Sequence, residues 1–301
     1  MEIKKILILG GTGMLGHVLF RELSKRPDYD VYTTVRKLDD AKKYFVPELL
    51  IKVRGDSVDA DNFDSVIRAL ASIQPHIVIN CIGLIKQLPL ASDPLSAITV
   101  NAQLPHRISL VCRTANARMI HISTDCVFDG KKGSYKEVDV SNAEDLYGRT
   151  KYLGEVNYTH CVTLRTSIIG HELKGKYGLV EWFLAQDEKT RGFKKVIYSG
   201  FPTIEMARII SDYVLPNVDL TGVYHVSSEP ISKYDLLKLV AAKYLKDIDI
   251  EPVEDIVQDR SLDSTIFRTK TGYIPPSWPD LISMMHMDYI LHKEDYCAIR
   301  K

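Results

Sequence analysis

Residues 6–16 read ILILGGTGMLG, and their order decides the fold. Four apolar residues run straight into Gly10, Gly11, Gly13 and Gly16. The next stretch, MLGHVLFRELSKR (14–26), carries helical periodicity. In such a strand–loop–helix unit the first glycine permits a tight turn. The next lets backbone N–H groups approach a pyrophosphate at the helix N-terminus, and the last lets helix pack closely on strand. The loop therefore predicts dinucleotide binding by Gly10, Thr12, Gly13, Met14, Leu15 and Gly16.

Working outward, the same alternation continues. DVYTTV (30–35), HIVINCIG (76–83), RMIHIS (118–123) and CVTLRTSI (161–168) read as buried strands, and DADNFDSVIRALASI (59–73) and LPHRISLVCRTAN (104–116) as helices. Strand–helix alternation predicts an α/β fold with a doubly wound parallel sheet. After about residue 170 the pattern loosens. GLVEWFLAQ (178–186) and ISKYDLLKLVAAKYL (231–245) suggest helices, KKVIYSG (194–200) a strand, and YIPPSWP (273–279) a rigid non-helical segment. The second half is expected to fold against the first.

The second strand ends VYTTVRK (31–37). A carboxylate at that end would bond a ribose 2′-hydroxyl; here stand Arg36 and Lys37, suited to a 2′-phosphate. The predicted cofactor is NADP(H) rather than NAD(H).

EDLYGRTKYLGEV (144–156) sets Tyr147 and Lys151 one helical turn apart. A free tyrosine has a pKa near ~10. A neighbouring ammonium favours the phenolate, so Lys151 is expected to lower it. Two other pairs share the spacing, Tyr234 with Lys238 and Tyr289 with Lys293. Position singles out the first: it follows a strand ending in Ser123, Thr124 and Asp125, and ligand crevices lie at such ends. Tyr147 then gives a proton to a carbonyl oxygen that Thr124 also holds.

Bulk properties exclude other classes. The chain has 301 residues, 45% hydrophobic, with a formal net charge of zero, so nothing advertises a nucleic-acid or membrane surface. No apolar run approaches a membrane span, and the N-terminus lacks an export signal's cleavage site. Five scattered cysteines (Cys81, Cys112, Cys126, Cys161, Cys297) fit a reducing, cytoplasmic setting. The nine histidines form no metal-binding spacing, so no metal is expected.

With GGTGMLG, STDCVFDG (123–130), YGRTKYLGE (147–155) and LRTSIIG (164–170) in order, the chain resembles an extended short-chain dehydrogenase/reductase, most of all the dTDP-4-dehydrorhamnose reductases. The resemblance implies a Rossmann domain over 1–167, completed by about 195–222. A smaller mixed α/β substrate domain would come from 168–194 and 223–301. It implies a catalytic trio of Thr124, Tyr147 and Lys151, with Lys151 also on the nicotinamide ribose. Asp56 and Ser57 would lie by the adenine, and Cys81, Ile82 and Gly83 would line the cofactor. Asp125, Cys126, Trp182 and Arg260 would border a nucleotide-diphosphate sugar. The implied reaction is NADPH-dependent reduction of the 4-keto group of a nucleotide-linked 4-keto-6-deoxyhexose, by a monomer or homodimer.

Two alternatives accompany it. Cys126 stands where sugar-nucleotide epimerase/reductases carry a cysteine. A non-catalytic regulatory subunit of methionine adenosyltransferase resembles the same subgroup. Dehydratases carry a glutamate at the position of Cys126, which argues against that reaction.

Overall fold

The strand Lys4–Leu9 (β1) shows how the core is organised. Ile6 and Ile8 point into one apolar cluster, and Leu7 and Leu9 into another, all four with no solvent exposure. Alternate side chains leave a strand on opposite faces. A strand apolar at every position must therefore be covered on both sides, each buried side chain contributing about 1.5–3 kcal/mol. The computed structural model describes residues 3–54, 58–87 and 89–294. Asp56, Ser57 and Cys297 lie outside the described residues.

The central sheet has seven strands: β1, β2 (Tyr29–Thr34), β3 (Val53–Arg54), β4 (Ile77–Asn80), β5 (Arg118–Thr124), β6 (Cys161–Thr166) and β7 (Gly222–His225). All pair in parallel, in the order β7-β6-β5-β4-β1-β2-β3. Order reverses beside β1, where Ile6 pairs with Ile77 of β4 and with Val31 of β2. That reversal opens a crevice at the carboxyl ends of β1 and β4, the ligand position of doubly wound sheets. Val53–Arg54 is too short to leave a periodic signal, so the sequence reading had no strand there.

Helices cover both faces. On one side α1 (Gly16–Leu23) packs Val18, Leu19 and Leu23 into the cluster holding Ile6 and Ile8. On the other, α2 (Phe63–Ile73) and α3 (Leu104–Thr114) bury Val66, Leu70, Leu104 and Ile108 with Leu7 and Leu9. A π-helical stretch, Ile98–Gln103, leads into α3, and α4 (Leu146–Leu153) precedes β6.

The second half adds α5 (Leu179–Leu184), α6 (Thr203–Ile209), α7 (Lys233–Lys243) and α8 (Trp278–Leu291). Short strands join them: Val196–Tyr198 pairs with Ile231–Ser232 and Gln258–Asp259, and Lys189–Phe193 with Asp249–Val253. Leu236, Phe267 and Leu281 belong to the same cluster as Ile6 and Leu19, so both halves share one core. The segment YIPPSWP differs from expectation. Helix α8 begins inside it at Trp278, with Ser277 accepting from Asp280 N. Pro279 falls in the first turn, where its missing N–H costs nothing.

Candidate active site

The cofactor end is built from backbone. Gly10 has φ +91°, a conformation closed to most side chains. A Cβ on Gly16 would lie 2.1 Å from the Gly10 carbonyl oxygen, so only glycine lets α1 start against the loop. No side chain caps α1. The start of α1 thus offers backbone N–H groups to an anion, as a pyrophosphate needs, although that of His17 is already bonded to the Gly13 carbonyl at 3.1 Å. Met14 closes one side: a Cβ on Gly178, the N-cap of α5, would sit 2.5 Å from Met14 Cε. Arg36 and Lys37 are exposed just past β2, and neither is engaged in an ion pair among the described residues.

Across the crevice, Asn80 shapes the loop after β4. Its Oδ1 accepts from Ile82 N at 3.1 Å. Asn101 of the π-helical stretch fixes the continuation, accepting from Leu84 N at 2.9 Å and donating to Leu84 O at 3.0 Å. Cys81, Ile82 and Gly83 are thereby held beside Gly10. The Cys81 carbonyl carbon lies 3.3 Å from a Cβ built on Gly10, and Lys151 Nζ 3.9 Å from one built on Gly83.

Asp145 caps α4, accepting from Gly148 N at 2.6 Å. A Cβ on Gly148 would fall 2.2 Å from the Cys126 carbonyl oxygen. Glycine there lets the first turn of α4 press on the 125–127 turn, which brings Tyr147 to Thr124. The Thr124 hydroxyl lies beside the phenol, accepts from Cys126 N at 3.1 Å and donates to Asp125 Oδ1 at 3.2 Å. Lys151 is buried and donates to the Ile122 carbonyl at 2.8 Å.

The charge states correct one expectation. Lys151 does not dominate the phenol. Burial pushes Tyr147 upward, followed by the neighbouring Cys126, while the Thr124 hydroxyl opposes them. Burial brings Lys151 down to about 8, against the pull of Glu155 and then Cys81. Lys151 is buried and Tyr147 partly so, and for each the loss of hydration outweighs the neighbouring groups. At neutral pH the phenol keeps its proton and the amine stays mostly cationic, the states needed to give a proton to a carbonyl. Cys126 is pushed up to about 11, chiefly by burial, and Cys81 to about 12 for the same reason. Both are un-ionised thiols at neutral pH, so Cys126 is a poor base for epimerisation.

The substrate side gathers distant segments. Arg260 donates from Nε to the Phe128 carbonyl at 2.8 Å and from Nη1 to Cys126 Sγ at 3.5 Å. Asp125 is buried and its pKa is raised by that burial, with Arg260 and Lys86 opposing. Lys233, at the start of α7, is lowered by burial and then by Lys86, while Asp125 and Cys126 oppose. Lys86 and Lys233 thus bear electrostatically on Asp125, as Arg260 does, and the sequence alone singles out neither lysine. An isolated lysine in a loop or at a helix start carries no spacing signal. Trp182 is 38% exposed on α5, one turn beyond the contact with Met14.

The decoys resolve too. Lys238 Nζ lies over the Tyr234 ring at 5.4 Å, and Tyr289 stacks on His171 at 4.2 Å. His171 also contacts Glu181 at 2.5 Å and Tyr244 at 2.8 Å, a buried network between helices. Glu22, Asp288 and His292 present ligand atoms within 4.8 Å of one another. Arg21 bonds both carboxylates and Lys25 bonds Glu22 at 2.7 Å, so cations already compensate them.

Residues 4–274 match the protein family described as RmlD substrate binding domain. Among curated proteins, the Aggregatibacter actinomycetemcomitans dTDP-4-dehydrorhamnose reductase is 26% identical, over 82% of this chain and 83% of that one. The Bos taurus methionine adenosyltransferase 2 subunit beta is 24% identical, over 96% and 92%. Among solved structures, a Bacillus anthracis dTDP-4-dehydrorhamnose reductase in complex with NADP superimposes with a TM-score of 0.78 at 22% identity. The match covers 95% of this chain and all of that one.

Proposed function

The chain belongs to the RmlD substrate-binding-domain family, and from that premise we propose that it reduces a nucleotide-linked 4-keto-6-deoxyhexose with NADPH. One observation carries the reading: Thr124, Tyr147 and Lys151 converge at the carboxyl end of β5, across from the glycine loop. The relatives named as reductases support it, as does NADP in one of them.

The glycine loop and the open start of α1 would hold the pyrophosphate, Arg36 and Lys37 the 2′-phosphate, and Cys81 to Gly83 the nicotinamide side. Lys151 would leave the Ile122 carbonyl for the ribose. When bound, a dihydronicotinamide would supply hydride to the keto carbon. Tyr147, protonated at neutral pH, gives its proton to the keto oxygen, and Thr124 holds that oxygen through its hydroxyl. Arg260, Lys233 and Lys86 supply positive charge for a nucleotide diphosphate, beside the sugar pocket bordered by Asp125, Cys126 and Trp182. Among the described residues no helix is long and apolar enough to cross a membrane. We propose a cytoplasmic setting, in line with the scattered cysteines, for a monomer or homodimer that uses no metal and serves glycan precursor synthesis.

A panel of nucleotide 4-ketosugars with NADPH or NADH, read by absorbance at the nicotinamide band and by product NMR, tests the reading. NADPH consumption with a 6-deoxysugar product is expected. No consumption with any member, together with stoichiometric capture of a methionine adenosyltransferase, would overturn it in favour of a regulatory subunit.

A further inference from the structure

We infer that Glu155, which the reaction itself does not call for, is a positioning residue that ties the end of α4 to β5 and so holds Lys151 aimed into the crevice. The inference rests on the reductase reading for its catalytic consequence, though not for its geometry.

Glu155 follows α4 and stands four residues after Lys151. Its carboxylate is only 5% exposed and is gripped from three directions. Ser123 Oγ donates to Oε1 at 2.6 Å, Arg165 Nε to Oε1 at 2.8 Å, and Arg165 Nη2 to Oε2 at 2.7 Å. Ser123 is the neighbour of Ile122, whose carbonyl takes the Lys151 ammonium at 2.8 Å. Carboxylate and ammonium are thus anchored on adjacent residues of β5. Arg165 is itself fixed, donating to His225 Nε2 at 3.2 Å and lying over the Phe128 ring at 5.3 Å.

The groups facing Lys151 leave Glu155 as the stabilising anion. On its own helix stands Tyr147, which keeps its proton. From the loop after β4 comes Cys81, an un-ionised thiol at neutral pH. From β5 comes His121, buried and held neutral, first by desolvation and then by Lys151. Burial lowers Lys151, and Glu155 is the largest influence opposing it. Bidentate pairing to Arg165 locks where that charge sits.

The test uses the full chain and two variants with opposite expectations. Glu155→Gln removes the anion. The alkaline limb of kcat/KM and the Lys151 titration, followed by 13C NMR of labelled lysine, should both move down by about one pH unit. Arg165→Met leaves the carboxylate without its cation, so the same two readouts should move up or stay. Glu155→Asp should recover part of the loss. A purely structural role would move both variants the same way. Should Glu155→Gln fold poorly, Glu155→Gln with Arg165→Met removes both buried charges and should show a smaller downward shift. A Lys151 titration unmoved by loss of Glu155 would overturn the inference. The NMR readout needs no substrate, so absence of ketosugar turnover would fail the reductase reading alone.

Discussion

The two walls of the crevice are made differently. The proposed cofactor wall is backbone from one local stretch, Gly10 to Gly16, shaped by a positive φ and by approaches that exclude a Cβ. The proposed substrate wall is side chains from distant places: Lys86, Asp125 with Cys126, Lys233 and Arg260. A pyrophosphate looks the same in every dinucleotide, and backbone N–H groups suffice to bind it. A sugar nucleotide must be told from its stereoisomers, which takes side chains that can vary independently.

The largest effect should come at the seam between the walls. Tyr147→Phe should lower kcat by roughly 10²–10⁴-fold while leaving NADPH affinity and the folded spectrum intact, measured by steady-state turnover and cofactor fluorescence. Retained turnover would remove the proton donor and with it the seam. Next, Gly16→Ala should cost about 3 kcal/mol, because the new Cβ meets the Gly10 carbonyl. Thermal unfolding and NADPH titration should both report it, and an unperturbed variant would break the backbone account.

Arg260→Ala tests the other wall. It should raise KM for the sugar nucleotide by roughly thirtyfold, about 2 kcal/mol, with cofactor affinity unchanged. A fall in NADPH affinity instead would erase the division between the walls. Arg36→Ala should weaken NADPH by roughly fivefold and leave NADH alone, since the guanidinium is exposed and its pairing is solvent-screened. The smallest effect belongs to Cys126→Ser. Its thiol is un-ionised at neutral pH, so ketone reduction should stay within about twofold of wild type, with no solvent deuterium entering the ring carbon.

Much of the candidate site is legible in the sequence, and the limits are physical. Tyr147 and Lys151 were found by helical spacing and separated from two other such pairs by following a strand end. The structure gives those two pairs ordinary packing roles, Lys238 over the Tyr234 ring and Tyr289 against His171. The sign of the Tyr147 shift was missed. Pair attraction can be read from spacing, whereas desolvation depends on everything packed around the pair.

The sequence by itself determined the parallel sheet, its glycine loop and the tyrosine–lysine helix, because each follows from residues close together in the chain. Apolar alternation, glycine conformation and i,i+4 geometry are local physics. Only tertiary structure decided that Lys86, Lys233 and Arg260 all bear on Asp125, and that Glu155 is clamped by Ser123 and Arg165. Those encounters depend on strand order and on how α7 lies against the sheet. Long-range packing sets them, and no window of neighbouring residues contains it.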